Sequence, residues 1–421
     1  MLGVVDSIMI GNLGAKYLAA SSLANSLLIL ILVLGIGLSI AITPLVAIAS
    51  GSKNNDECGI VLRQGLLVNM IFSILLVVLS YSTAELIVYL KQPEEVAHLA
   101  ESYMKILSFS MIPFMLFQTF KQFIEGLGFT KPAMYVNIVA NFVNVLGNWI
   151  LIYGNLGFPR LELDGAGYAS LLTRIFIAVA LFVYVIKSKY FKEYDASLKF
   201  KSINFRIIKK IIGIGVPSGL QMLFEAGAFS FSAIMIGWLG TKYLAAHQIA
   251  INLASATFMI ILGINSAATI RVGFFLGEKN FSGMQKASFS ALGMSILLMA
   301  VFGMIFIVFR NFLPTIYIND SEVISLASAL LIIAAIFQIF DGTQAVGLGI
   351  LRGMTDVKIP MVISLIAYWA IGIPLGYYLG FINDLKAGGV WIGLTSGLII
   401  AAVFFTIRIK NKLNKYYSEL M

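Results

Sequence analysis

The chain has 421 residues, of which 59% are hydrophobic and 12% are charged, with a mean hydropathy of +0.94 and a net charge of +9. Soluble domains carry about 25% charged residues, so a charged fraction this low excludes a water-soluble globule of this size. The single cysteine, Cys58, excludes an internal disulfide framework.

Long apolar runs follow one another along the chain. No formal charge lies between Lys131 and Arg160, and the 31 residues between Lys210 and Lys242 contain one, Glu225. About 20 helical residues cross a bilayer core, where the backbone must satisfy its own hydrogen bonds. We therefore predict an all-α integral membrane protein with twelve transmembrane helices. The predicted spans lie near residues 1–12, 18–48, 61–90, 97–125, 132–154, 165–187, 208–237, 244–271, 284–311, 323–352, 357–380 and 387–409.

The chain repeats itself. The stretch IMIGNLGAKYLAA returns as IMIGWLGTKYLAA, and residues 8–27 and 234–253 share 13 identities in 20 positions. This offset of 226 residues recurs along the chain, which predicts a duplicated six-helix unit. Because six is even, the two repeats are parallel, a design typical of transporters. The offset also places the start of the first helix about 19 residues before Met1, so we expect that helix to be truncated.

The predicted domains are an N-terminal six-helix bundle at 1–190, a basic linker at 191–206 and a C-terminal six-helix bundle at 207–421. Loops on one side of the membrane, with the central segment 187–210, hold 21 of the 29 basic residues, and the opposite loops hold six. Cytoplasmic loops carry the excess of Lys and Arg, so we expect both termini and the linker in the cytoplasm. The basic linker could also bind nucleic acid or anionic lipid, but a topology signal is the favoured interpretation.

Three carboxylates qualify as charges inside the membrane: Asp6, Glu225 and Asp341. An ionisable residue inside a membrane helix costs several kcal/mol, on the order of 2.5–3.5 for insertion, and indicates function by default. Such acids could hold a proton or provide oxygen ligands for Na⁺. The alternative is a structural carboxylate capped by neighbouring hydroxyls and amides.

Four asparagines follow the fifth span at steps of 4, 3 and 4 residues: Asn137, Asn141, Asn144 and Asn148. This spacing places all four on one helical face, which must meet protein or water because lipid offers amides no partner. Interhelical hydrogen bonding and a ligand or ion role both remain open. Arg174, also within a span, could be the counter-ion of an acid or could extend to the membrane surface.

The chain contains no P-loop pattern, zinc-ligand spacing or nucleophile elbow, so we predict neither an enzyme nor a bound cofactor. Several stretches resemble the multidrug and toxic compound extrusion (MATE) family, in particular its NorM-type branch. They are PSGLQMLFEAGAFS, LAAHQIAINLASATFM, AATIRVGFFLGEKN and FDGTQAVGLGILRGMTDVKIP. The resemblance implies two six-helix bundles in a V shape around a central cavity. It also implies export of organic, often cationic, drugs in exchange for Na⁺ or H⁺ by alternating access.

The resemblance assigns roles to six residues. Glu225 and Asp341 match acids implicated in cation coupling in the NorM-type branch, which makes them candidate Na⁺ ligands. Asp6 resembles the aspartate of the family's first helix. The fifth-helix positions that commonly hold Asn or Asp, and a nearby hydroxyl position, correspond to Asn144, Asn148 and Ser170.

We therefore expect a cation-coupled drug exporter in the bacterial inner or plasma membrane. We expect it to act as a monomer and not to bind nucleic acid. One alternative is a flippase for lipid-linked oligosaccharide or another amphipathic lipid. Such proteins carry cationic cavities for phosphates, whereas the charges inside the membrane here are mainly acidic. A membrane-embedded transferase would need a catalytic cluster at one membrane face, and the sequence contains none.

Overall fold

The computed structural model describes residues 2–90, 93–196 and 203–418. These residues form α-helices joined by short loops, and none of them lies in a β-strand. The helices of the first half are α1 (Leu2–Gly11), α2 (Ala15–Ile40), α3 (Ile42–Gly51), α4 (Asn55–Leu86), α5 (Glu94–Phe109), α6 (Met111–Gly126), α7 (Lys131–Tyr153) and α8 (Glu162–Lys187). Those of the second half are α9 (Phe205–Trp238), α10 (Thr241–Gly277), α11 (Phe281–Val308), α12 (Ser321–Gly353), α13 (Lys358–Leu365), α14 (Ile373–Tyr377) and α15 (Lys386–Ser418).

Ten segments of 23 to 37 residues are long and apolar enough to cross a membrane. Two predicted spans are not among them. The first is α1, with 10 residues, and the other is the predicted span 97–125, which consists of two 16-residue helices, α5 and α6, that meet at Ser110. Pro113 follows the break and cannot donate a backbone hydrogen bond to α5. With these two included, the twelve helical spans predicted from the sequence are confirmed.

The span Lys358–Ile382 departs from a regular α-helix. Two π-helical turns, Ile366–Gly372 and Tyr378–Ile382, lie on either side of α14. Pro374 lies in the first turn of α14 and removes a backbone donor close after the first π turn. Single π turns within helices are frequent at functional sites, which directs attention to the side chains of the first turn.

The chain forms two compact units, each described by itself. Unit 1 comprises residues 1–50 and 54–219, and unit 2 comprises residues 51–53 and 220–421. The predicted bundle and linker boundaries remain predictions, and residues 197–202 of the predicted linker lie outside the described residues. Before them, a 3-10 turn at Lys189–Tyr194 buries Phe191 beside Phe123 and Phe129. The start of the predicted linker is therefore packed onto unit 1.

The duplication is visible in the packing as well as in the sequence. In unit 1, a Cβ atom added to Gly126 would lie 2.9 Å from the backbone oxygen of Thr43. In unit 2, a Cβ atom added to Gly353 would lie 2.7 Å from the backbone oxygen of Thr269. The two pairs are related by offsets of 226 and 227 residues. The same close helix–helix approach is therefore present in each unit, and it excludes a side chain at the glycine in both.

Candidate functional site

Asp6 is the centre of a polar cluster within unit 1. Its side chain is 7% exposed. Asn148 Nδ2 donates a hydrogen bond of 2.6 Å to Asp6 Oδ1, and Ser170 Oγ donates one of 3.3 Å to Asp6 Oδ2. Since these residues lie on α1, α7 and α8, three helices each supply one polar group to the cluster.

Asn144 joins the cluster from the turn of α7 before Asn148. Its Oδ1 accepts a weak hydrogen bond of 3.4 Å from Asn148 Nδ2. Asn148 Oδ1 is buried without a hydrogen-bond partner, and Asn144 Nδ2 lies beside Asp6 without the distance and angle of a hydrogen bond. Buried amides in folded proteins normally use their hydrogen-bonding capacity, so the cluster retains capacity for a further ligand. The structure thus brings together the four unit 1 residues to which the family resemblance assigns a role.

The other half of the asparagine stripe has a different use. Asn137 Nδ2 donates 2.8 Å to the backbone oxygen of Ala133, and Asn141 Nδ2 donates 2.7 Å to the backbone oxygen of Asn137. These are bonds to the preceding turn of the same helix, a common alternative for short polar side chains. The stripe therefore divides into two residues at the acid and two whose amide nitrogens bond their own helix, although Asn141 Oδ1 is buried without a partner.

Arg174 lies one turn beyond Ser170 on α8. Its Nη1 donates a hydrogen bond of 2.7 Å to Ser110 Oγ, and its guanidinium carbon lies 5.2 Å from the centroid of the Phe114 ring. The guanidinium also interacts electrostatically with Asp6. Arg174 is thus held at the α5–α6 junction inside unit 1, and its charge acts on the acid of the cluster.

The other two acids belong to unit 2. Glu225 on α9 is half-buried, and its Oε2 accepts a hydrogen bond of 2.6 Å from Gln221 Nε2, one turn earlier on the helix. Asp341 and Arg352 are both buried on α12. Glu225 interacts electrostatically with each of them. With both acids ionised, two carboxylates and one guanidinium leave this site with one net negative charge.

Neutral polar groups with unused hydrogen-bonding capacity surround these acids. Gln344, three residues after Asp341, is fully buried and lies beside Glu225, but its amide atoms do not reach the distance and angle of a hydrogen bond. The hydroxyl of Tyr368, on the first π turn, is buried without a partner and interacts electrostatically with both acids. Gln221 Oε1 is also unpartnered. So many unsatisfied buried atoms around two acids indicate a ligand site rather than ordinary packing.

The donor set can be compared with the needs of a cation. Within residues 2–90, 93–196 and 203–418, no group of three or more His, Cys, Asp or Glu side chains could hold a metal ion. A cation at Glu225 and Asp341 would therefore also need neutral oxygens. Carboxylate and amide oxygens are ligands of hard cations, and the nearby oxygens with free capacity belong to Gln221, Gln344 and Tyr368.

The sequence gives partial signals for these neutral groups. Gln221 precedes Glu225 by four residues and Gln344 follows Asp341 by three, spacings that place each amide on the helical face of its acid. No local spacing predicts Tyr368, since it reaches the acids from a third helix. Arg352 is visible only as one of the basic residues at the end of a span.

The sequence profile of the MatE family matches residues 1–150 and 217–378. A probable multidrug resistance protein NorM from Agrobacterium fabrum is 33% identical over 408 residues, covering 96% of this chain and 88% of that protein. A probable NorM from Halalkalibacterium halodurans is 32% identical, covering 98% and 90%. The multidrug resistance protein MdtK of Yersinia pseudotuberculosis is also 32% identical, covering 97% and 91%.

Solved structures support the same fold. The eukaryotic MATE transporter AtDTX14 is 21% identical with a TM-score of 0.88, over 100% of this chain and 94% of that chain. A multidrug resistance MATE family transporter in an outward-facing conformation is 20% identical with a TM-score of 0.89, over 99% and 92%. This fold, and relatives above 30% identity over nearly the whole chain, show that the chain is a multi-pass membrane protein of the MatE family and that it is related to its NorM-type members.

Proposed function

We propose that the protein is a secondary active antiporter that exports organic, often cationic, drugs in exchange for Na⁺ or H⁺. The relatives named multidrug resistance proteins support drug efflux as the activity. The observation that supports cation exchange is the unit 2 site, where Glu225 and Asp341 lie among unpartnered neutral oxygens and, when both are ionised beside Arg352, leave one net negative charge.

The proposed mechanism follows from that charge. A buried uncompensated charge is costly, so the site is stabilised when a monovalent cation neutralises it. An organic cation can do this for export, and Na⁺ or H⁺ can do it on return. A ligand shifts a conformational equilibrium only by its differential affinity for the two states, so each ligand must bind the opposite-facing states unequally. A membrane potential adds on the order of 2.3 kcal/mol per charge per 100 mV in favour of inward cations.

The test is efflux of a fluorescent cationic dye from proteoliposomes, with Na⁺ and pH gradients imposed separately. Glu225→Gln and Asp341→Asn should abolish gradient-driven efflux while leaving insertion intact, because each change is nearly isosteric. Asp6→Asn compares the unit 1 site. Glu322→Gln is the control, since Glu322 is an exposed acid that pairs with Lys242. Wild-type efflux in both Glu225→Gln and Asp341→Asn would contradict the proposal, and transport of a lipid-linked sugar instead of dye would favour a flippase.

We further propose that the protein acts as a monomer in the bacterial inner or plasma membrane, with both termini in the cytoplasm. The cytoplasmic position of the termini is supported by the 21 basic residues assigned to one side of the membrane. Single cysteines introduced at Arg160 and Lys201, in a chain lacking Cys58, should react with an impermeant reagent from opposite sides. Labelling of both from the same side would contradict the twelve-span topology.

A further inference from the structure

Arg174 is a half-buried cation of unit 1. Ser170 and Arg174 are one turn apart on α8, so they share a helical face. Arg174 is held by Ser110 at 2.7 Å and by the ring of Phe114 at 5.2 Å, both at the junction in the middle of the α5–α6 span. A lysine or arginine that extends to the interface keeps its head group in water, whereas this guanidinium donates to Ser110 and lies over the ring of Phe114.

The charge of Arg174 acts on Asp6 without a direct ion pair. Among the described residues, the ionisable groups around Asp6 are Arg174 on α8 and the phenol of Tyr103 on α5, while α7 supplies only amides. The phenol is neutral in its ordinary state, so an ionised Asp6 and Arg174 have charges that sum to zero. The unit 1 cluster therefore contains its own compensating cation.

The two units differ in this respect. In unit 2, Arg352 compensates only one of the two carboxylates, so the site has a net negative charge when both acids are ionised. A monovalent cation would bring the unit 2 site to neutrality but would leave the unit 1 cluster positive. Because uncompensated charge within a membrane protein is costly, the same ion is favoured in unit 2 and disfavoured in unit 1.

We propose that Arg174 is a built-in counter-ion that occupies the electrostatic role of a mobile cation at Asp6. The unit 1 cluster then stays neutral throughout the cycle, and the mobile coupling ion binds in unit 2. This inference deepens the proposed antiport and rests on it. It makes Arg174 the residue that prevents unit 1 from taking up a cation, even though Asp6, Asn144, Asn148 and Ser170 supply suitable oxygens.

The test is the number of Na⁺ ions bound per chain, measured with radioactive sodium on the purified full chain at mildly alkaline pH. Arg174→Gln should bind one more Na⁺ than the wild type, because Asp6 then lacks compensation. Arg174→Lys keeps the charge and should bind as the wild type does. Adding Asp6→Asn to Arg174→Gln should remove the extra ion. Arg160→Gln, which removes an exposed arginine from the same unit, is the matched control.

Two results would overturn the proposal. One is a folded Arg174→Gln protein that binds no additional Na⁺. The other is a loss of Na⁺ binding in the single variant Asp6→Asn, which would place the ion in unit 1 of the wild type. If Arg174→Gln does not fold, the Asp6→Asn measurement alone tests the proposal. The outcome is separable from antiport itself. If dye efflux needs no cation gradient but Arg174→Gln gains an ion that depends on Asp6, the antiport fails and the role of Arg174 stands.

Discussion

Replacement of Tyr368 by phenylalanine should stabilise the cation-free protein and weaken its cation site at the same time. The Tyr368 side chain is fully buried and its hydroxyl has no partner. A buried polar group without a hydrogen bond costs about 1–3 kcal/mol, and phenylalanine removes that cost while keeping the ring. The ring packs against Phe229, with centroids 6.4 Å apart, and this contact is preserved.

The expected magnitudes can be measured by thermal unfolding in detergent. Each kcal/mol moves the Tm of a unit of this size by about 2–4 °C, so Tyr368→Phe without Na⁺ should unfold at least ~2 °C higher than the wild type. With Na⁺, the wild type should gain stability and the variant should gain less. Loss of one oxygen ligand worth about 1.4 kcal/mol corresponds to a tenfold weaker affinity.

Tyr153→Phe serves as the comparison, because the Tyr153 hydroxyl has a partner. It donates a hydrogen bond of 2.9 Å to the backbone oxygen of Met9. Its removal should lower stability, by about 1 kcal/mol. A lower Tm for cation-free Tyr368→Phe would show that the Tyr368 hydroxyl is bonded after all. An unchanged Na⁺ affinity would show that it does not reach the ion.

Further predictions concern packing and helix ends. Gly393→Ala should destabilise unit 2 by about 1–3 kcal/mol in thermal unfolding, because the new Cβ would lie 2.4 Å from the Cα of Gly376 and overpacking has this cost. Gly293→Ala is the control, since nothing lies within 4 Å of the new Cβ, and it should be neutral or stabilising. Equal effects of the two substitutions would contradict the packing. Asp320 begins α12 by accepting hydrogen bonds from two backbone N–H groups, which lower the pKa of its carboxyl. The stability contributed by these hydrogen bonds is present above the ordinary pKa of aspartate and is lost as pH falls through the lowered pKa of the folded state. Asp320→Ala should therefore lower the Tm at neutral pH and have little effect in strong acid. A loss of Tm that does not depend on pH would refute the charge argument.

Much of the fold can be predicted because membrane spans have a strong apolar signal, but local breaks cannot. Pro113 and Pro217 both lie in apolar spans. The first follows a helix break at Ser110, while the second lies inside the continuous helix α9. A proline removes one backbone donor and clashes with the preceding turn, and the surrounding packing decides whether the helix breaks. The sequence shows the proline but not that packing.

The candidate sites divide in the same way. The asparagine spacing predicts that Asn144 and Asn148 share a face, and the structure places both at Asp6. The spacing cannot show that Asn137 and Asn141 instead bond their own helix, since all four positions look alike along the chain. Tyr368 is even less predictable, because its position depends on how a third helix packs and on the π turn that carries it.

The π turns of the span Lys358–Ile382 bear on how the chain tolerates changes in length. Deleting one residue from an α-helix rotates everything beyond it by about 100° and shortens it by about 1.5 Å. A π turn already holds one more residue than an α turn, so a deletion within Ile366–Gly372 would return that turn to α geometry and leave the helices on both sides in register. Gly376 would keep its contact with α15, although Tyr368 would point elsewhere. Relatives that are one residue shorter in this span can therefore preserve the packing of unit 2 while changing the groups that meet its acids.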